Sequence, residues 1–180
     1  GSKWGDHCTV VRYAEQNLTP QRTGFIVHRL DRAASGLMLI AHHKRYAAAL
    51  SDLFQRRAIA KRYRVVVEGL LGPIGEQVTV DSPIDKREAR SHFLPLGFDA
   101  DMDRSTLDVR IETGRKHQIR RHLAELGFPV VGDRLHGAGD SSESLELRAY
   151  WLGFTCPVKN VEKCFKVSNG DIWDEQPIPG

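Results

Sequence analysis

Apolar and polar positions alternate or cluster along this chain in ways that predict a handful of elements. Residues 36–41 (Gly-Leu-Met-Leu-Ile-Ala) form a short apolar run that reads as a buried strand. Residues 44–57 carry Tyr46, Ala49, Leu50, Leu53 and Phe54 at helical spacing, predicting a helix with one buried face. Residues 61–71 are β-branched and read as a strand, and residues 91–98 as another. In 106–113, Leu107, Val109 and Ile111 alternate with Asp108, Arg110 and Glu112, predicting a half-exposed strand. Residues 115–126 place Ile119, Leu123 and Leu126 on one helical stripe, with Gly127 as a stop and Pro129 preventing continuation. Leu145, Leu147, Ala149 and Trp151 alternate again, so 145–156 reads as a strand, preceded by a polar loop over 137–144. Strands outnumber helices and rarely alternate strictly with them. That pattern predicts an α+β fold with a mostly antiparallel sheet.

Length and composition narrow the classes. The 180 residues suffice for one domain with a real core, and 41% hydrophobic with 27% charged residues excludes collagen-like, disordered and disulfide-scaffold classes. Three cysteines, Cys8, Cys156 and Cys164, contain no CxxC pair, which argues against a zinc ribbon and for a reduced, intracellular setting. No apolar run approaches the roughly 20 residues of a membrane helix, and no signal peptide opens the chain. Gly1-Ser2 reads as a cloning remnant, so the natural start is expected to differ. The tail beyond Ser168 has little to bury.

The net charge of +3 is mild, but its distribution is not. Residues 55–64 hold Arg56, Arg57, Lys61, Arg62 and Arg64 without an acid; residues 110–122 hold Arg110, Arg115, Lys116, Arg120 and Arg121 against Glu112. Either cluster alone reads as a solvated helix end or an edge strand. Together, beside candidate chemistry, they point to nucleic acid, whose phosphates suit the guanidinium fork.

Three segments concentrate reactive groups. His28-Arg29-Leu30-Asp31-Arg32 sets one carboxylate among cations, and an adjacent guanidinium favours the ionised form a nucleophile or base requires. Lys61-Arg62-Tyr63 offers a phenol that could stack on a flat ring. Thr113 to His122 runs from a strand through a glycine turn into a helix, where backbone donors could meet phosphate. Arg120 falls beside the buried stripe of that helix and needs an anion, for which Asp31 is the attractive candidate. His117 and His122 are five apart and share no helix face, so no metal site is expected. The chain has no phosphate-binding glycine loop, dinucleotide fingerprint or serine-hydrolase elbow.

In order, these segments resemble the RluA-type pseudouridine synthase family. The carriers are His28-Arg29-Leu30-Asp31 with Ser35-Gly36; Lys61-x-Tyr63 with Gly69; and Thr113-Gly114-Arg115-x-His117-Gln118-Ile119-Arg120-x-His122-Leu123, followed by Gly127-x-Pro129 and Gly132-Asp133. Leu152-x-Phe154 with Pro157 resembles the closing strand, so the match spans about residues 26 to 158. The resemblance implies the pseudouridine synthase catalytic fold, a mixed, mostly antiparallel sheet flanked by helices, as a single catalytic domain over 1–180 with 169–180 as a tail. It implies isomerisation of uridine to pseudouridine within RNA, without cofactor or metal; ribosomal and transfer RNA are both open as substrates, and a cytoplasmic monomer without a membrane segment is the separate expectation.

By the same resemblance Asp31 attacks the ribose C1′ or promotes glycal formation. Tyr63 stacks on the flipped base and helps remove the C5 proton, Arg120 pairs with Asp31, and Arg29 fills the space vacated in the RNA. His28, Arg32, Lys61, Arg62, Arg115, Lys116, His117 and Arg121 are the further RNA-binding candidates, and Leu30, Leu37 and Val131 the expected pocket walls. Base eversion makes an aromatic platform and a wedge useful on general grounds. Three departures stand out. Ala34 replaces the usual Thr, the family's opening strand with Lys-Pro-x-Gly is absent from Gly1–Gln21, and there is no room for an added N-terminal RNA-binding domain. The alternative class is a non-catalytic RNA-binding module that keeps the fold.

Overall fold

A computed structural model describes residues 9–137 and 142–167. In chain order the elements are α1 (Val10–Gln16), β1 (Phe25–Ile26), β2 (Ser35–Gly36), β3 (Ile40–Ala41), α2 (Lys44–Gln55), β4 (Ala60–Glu68), β5 (Val78–Asp81), β6 (Arg90–Asp99), β7 (Arg104–Ile111), α3 (Gln118–Glu125), β8 (Leu147–Thr155) and β9 (Glu162–Lys166). They divide into two compact units. The smaller contains residues 9–29, 38–59 and 154–163; the larger contains 30–37, 60–153 and the chain from 164.

In the smaller unit, β1 and β3 pair antiparallel, Phe25 opposite Ala41. Thr9 caps α1 by accepting the Arg12 amide on its hydroxyl. The apolar stripe predicted for α2 is present, with Leu53 buried and Ala49, Leu50 and Phe54 half-buried, while Tyr46 is exposed.

The larger unit is a seven-stranded sheet in the order β2-β8-β4-β7-β6-β5, with β9 beside β8. Its long pairings are antiparallel, and β2 runs parallel to β8. The α+β class and the mixed, mostly antiparallel sheet are as predicted. One face carries the core: Val65 and Val67 of β4, Phe93 of β6, and Leu107 and Val109 of β7 pack with Ile119 and Leu123 of α3. This alternation of inward residues is what a sheet covered by a helix on one face requires. β4 ends at Glu68 because Gly69 turns out of the strand at φ 80°.

Three predicted elements differ. The run 36–41 is not one buried strand. Ser35–Gly36 pairs with β8 in the larger unit, Ile40–Ala41 pairs with β1 in the smaller, and residues 37–39 between them are irregular. The strand over 106–113 is exposed at Arg110 and Glu112 as its alternation predicts, but Asp108 is buried. It accepts the Tyr150 hydroxyl at 2.9 Å and pairs with Arg62 at 2.7 Å, while the Arg64 guanidinium lies 4.8 Å from the Tyr150 ring centroid. A charged network on the second face of the strands thus replaces solvent. The alternation over 145–151 breaks at a bulge: Arg62 pairs with Trp151 but Tyr63 with Ala149, and beyond it Leu152, not Trp151, is buried. The polar loop falls partly, and the tail wholly, outside the described residues. Among the described residues no helix is long and apolar enough to cross a membrane.

Candidate active site

Asp31 opens a tight turn in the larger unit, its carbonyl accepting the Ala34 amide at 3.0 Å. The chain then enters β2, where Ser35 and Gly36 pair with Arg148 and Ala149, and Leu37 donates to the Ala149 carbonyl at 2.8 Å. Gly36 is required there. Its φ is 107°, and a Cβ would stand 2.1 Å from the Ala149 carbonyl oxygen. The Ser-Gly pair after Asp31 is therefore the latch that fastens the aspartate's loop to the sheet.

The turn into α3 is built by Thr113 and Gln118, both buried. The Thr113 hydroxyl accepts the Arg90 amide and donates to Gln118 Oε1 at 2.7 Å. Gln118 Oε1 also accepts the Arg115 amide, and its Nε2 donates to the Arg90 carbonyl and the Ser91 hydroxyl. This satisfied strut aims the helix. His122, fully buried, contacts Ser91 Oγ and the Ser82 carbonyl at 3.0 Å each, which makes it a packing residue.

Arg120 projects from α3 toward two carboxylates. Nη1 lies 3.5 Å from Asp31 Oδ2, while Nε and Nη2 donate to Asp133 at 2.8 and 2.5 Å. The sequence pointed to Asp31 as the anion for this buried arginine, and the pair exists. The closer partner is Asp133, which also accepts the Leu135 and His136 amides at 2.9 and 3.1 Å. Asp133 stood in the Gly132-Asp133 motif without a role; the signal available was that a buried arginine needs more than one distant carboxylate. Its hydrogen bond to Asp133 raises Arg120 above its ordinary pKa. Burial would raise the Asp133 carboxyl, but the hydrogen bonds from Arg120 and from the two amides outweigh it and hold the acid below its ordinary value.

Tyr63 borders the same site. Burial first, and the negative charge of Asp31 second, push its phenol well above the ordinary range. Asp31 and Arg120 thus form a pair, and Tyr63 lies within reach of the aspartate's charge. His117 joins them, its Nε2 4.0 Å from Asp31 Oδ1 and its Nδ1 3.0 Å from His136 Nε2. His136 carried no sequence signal. Burial lowers both imidazoles.

The other candidates scatter. Lys61 sits near Gly114, its Nζ 3.8 Å from where a glycine Cβ would be, and burial lowers its pKa. Ile84, Asp85, Arg87, Gly114, Arg115 and Lys116 line a cavity of about 370 Å³. Arg115 Nε donates to the Glu88 carbonyl, Arg121 pairs with Asp85 at 3.0 Å, and Lys116 is exposed. Arg32 is exposed in the larger unit and Arg29 in the smaller. Two candidates are committed elsewhere. Arg62 pairs with buried Asp108, and in the smaller unit His28 accepts the Leu39 amide at 2.8 Å and stacks on Phe54 at 4.4 Å. Val131 is 1% exposed and belongs to the core, not to a pocket wall. Among the described residues no cluster of three or more His, Cys, Asp or Glu could hold a metal.

Comparison with known proteins places the chain among relatives by sequence and fold. An RNA pseudouridine synthase of Chloroflexus aurantiacus is 38% identical over 165 residues, covering 82% of this chain and 51% of the relative. One of Aquifex aeolicus is 34% identical over 172 residues, covering 82% and 54%, so the chain spans about half the length of these relatives. The tRNA pseudouridine synthase C of Vibrio parahaemolyticus is 31% identical over 183 residues, covering 84% and 74%. In fold, the chain is similar to human RNA Pseudouridylate Synthase Domain Containing 1, with a TM-score of 0.69 at 24% identity, covering 82% of this chain and 69% of that one. The family model described as RNA pseudouridylate synthase matches residues 2–125, and the chain belongs to that family.

Proposed function

We propose that this chain carries the catalytic core of an RNA pseudouridine synthase, acting on uridine in ribosomal or transfer RNA. The observation that carries the reading is the placement of Asp31 beside Arg120, with Arg120 clamped from behind by Asp133 and the charge of Asp31 reaching Tyr63. In this reaction the bond from uracil N1 to ribose C1′ breaks, the base turns, and C1′ bonds to C5, which then loses its proton while N1 takes one up. Asp31 serves this by attacking C1′ or by promoting a glycal, with Arg120 as its counter-charge. Tyr63 is the platform for the everted base. Its phenol, held above the ordinary range by burial and by Asp31, is protonated at neutral pH.

The basic residues around the start of α3, Arg115, Lys116 and Arg121, together with Arg29, Arg32 and Lys61, are the candidates for RNA phosphates and for the vacated stack. The relatives' names, which include a transfer-RNA enzyme, support the substrate class. The reaction needs no cofactor or metal, and we assign the chain to the cytoplasm as a monomer.

Tritium release from RNA labelled at uridine C5 tests the reading. Wild-type protein releases label, and Asp31→Ala binds the same RNA and releases none. Equal release by both overturns the role of Asp31, and binding without release by the wild type identifies a non-catalytic RNA-binding module.

A further inference from the structure

His117 and His136 form an imidazole pair behind Asp31. His117 occupies the left-handed residue that precedes α3, φ 54°, and His136 follows the Asp133 clamp, its amide bonded to that carboxylate. The rings meet edge-on, centroids 5.2 Å apart at 73°, with Nδ1 of His117 3.0 Å from Nε2 of His136. The remaining nitrogen of His117 faces Asp31 Oδ1 at 4.0 Å, while Arg120 approaches Oδ2 at 3.5 Å. Each oxygen of the aspartate therefore has its own nitrogen neighbour.

A contact of that length between two ring nitrogens holds one proton, and the donor decides what Asp31 meets. Were His117 the donor, its Nε2 would turn a lone pair toward the carboxylate. With His136 as donor, the Nε2 of His117 carries hydrogen and turns it toward the carboxylate, the electrostatically favoured arrangement. Protonating both rings would set two N–H groups against each other and open the pair.

We propose that His136 is a positioning residue that donates its Nε2–H to His117 Nδ1, fixing His117 as the Nε2–H tautomer that orients Asp31 Oδ1 while Arg120 orients Oδ2. Burial keeps both rings below their ordinary pKa. The charges of Asp31 and Asp133 oppose that lowering, and those of Arg120, Lys116 and Arg121 reinforce it. The neutral pair is thus the form present at pH 7 and above. The catalytic consequence rests on the pseudouridine synthase reading above; the tautomer itself does not.

Nitrogen-15 NMR of the histidine side chains, on the full chain without RNA, reads the tautomer directly. At pH 7.5 His117 is expected as Nε2–H in the wild type and in His136→Gln, whose amide also donates, and as a tautomer mixture in His136→Phe. An Nδ1–H or doubly protonated His117 in the wild type overturns the proposal. Single-turnover tritium release is then measured across pH. His136→Phe is expected to slow it several-fold, the scale of an N–H facing a carboxylate at a distance beyond hydrogen bonding, with RNA affinity unchanged. His136→Gln is expected to restore the rate at neutral pH and to shift the acid limb, since one of the two titrating rings is gone. A His136→Phe protein with the wild-type rate and pH profile overturns the positioning role. If the wild type releases no label from any RNA, the functional reading falls, and the NMR result decides the pair on its own.

Discussion

Replacing Asp133 by Asn should be among the most damaging single-atom changes in the larger unit. Asp133 Oδ1 takes three donors, Arg120 Nη2 and the Leu135 and His136 amides, and Oδ2 takes Arg120 Nε. The side chains of Arg120 and Asp133 are 5% and 0% exposed. An amide can keep its oxygen for the three donors at Oδ1, but its NH2 then meets the Nε–H head-on. The variant therefore loses one hydrogen bond and the charge that balances a buried guanidinium. Breaking a buried pair from one side destabilises by about 3–5 kcal/mol. Asp31, 3.5 Å from Nη1, still offers a counter-charge, which places the expectation near the lower end, about 3 kcal/mol. For a chain of this size that is a fall in Tm of about 6–12 °C.

Urea unfolding of Asp133→Asn, Arg120→Met and the double variant measures it. The double should be less damaged than the sum of the singles by more than about 1 kcal/mol, because removing both charges leaves neither uncompensated. The pH dependence has a definite sign. The Asp133 carboxyl titrates below its ordinary value, so its contribution is present above the unfolded pKa and is lost as pH falls through the folded one. The gap between wild type and Asp133→Asn should thus close below about pH 4. An Asp133→Asn protein within about 0.5 kcal/mol of wild type, or a strictly additive cycle, would refute the clamp.

Other outcomes follow from single contacts. Gly36→Ala puts a Cβ 2.1 Å from a backbone oxygen at φ 107°, so it should destabilise by about 2–3 kcal/mol and open the 31–37 loop to proteolysis; unchanged melting and cleavage would contradict the latch. Burial, then Asp108, raises the Tyr150 phenol to about 12. Its contribution to stability is therefore complete below an unfolded value of about 10 and is lost as pH rises toward 12, and Tyr150→Phe should flatten that alkaline decline in urea midpoints. RNA affinity should fall with salt at a log–log slope of about −0.7 per phosphate neutralised, and Lys116→Ala should make the slope shallower by about that amount; a salt-independent affinity would remove the basic-face argument.

Legibility in the sequence followed the length of the signal. β4, α2 and α3 each carry a pattern over eight or more residues and formed near their predicted bounds, as did the strand read over 91–98. β1, β2 and β3 have two residues each, too few for any periodicity, so the apolar run over 36–41 masked a change of partner from one unit to the other. β5, four residues long, gave too short an alternation to be read. Asp108 was misread for a different reason. Alternation identifies the side opposite the core but not what lies on it, and here Arg62 and Tyr150 stand where water was assumed.

In the site, the sequence sufficed to pair Asp31 with Arg120, since a buried arginine needs an anion and each of the two lies in a segment with several diagnostic neighbours. Asp133 and His136 escaped because their roles are defined through Arg120 and His117, across a turn whose path the residues alone do not trace.

The parallel pairing of β2 with β8 also sets a timetable. Asp31 leaves the ribosome before the strand that fastens its loop, which at Arg148 and Ala149 is made after every other strand of the larger sheet except β9. Arg120 and Asp133 likewise emerge long after the aspartate they serve. A nascent chain that has not yet released β8 lacks the strand that latches the 31–37 loop, so that loop can be fastened to the sheet only once residues 148 and 149 are made.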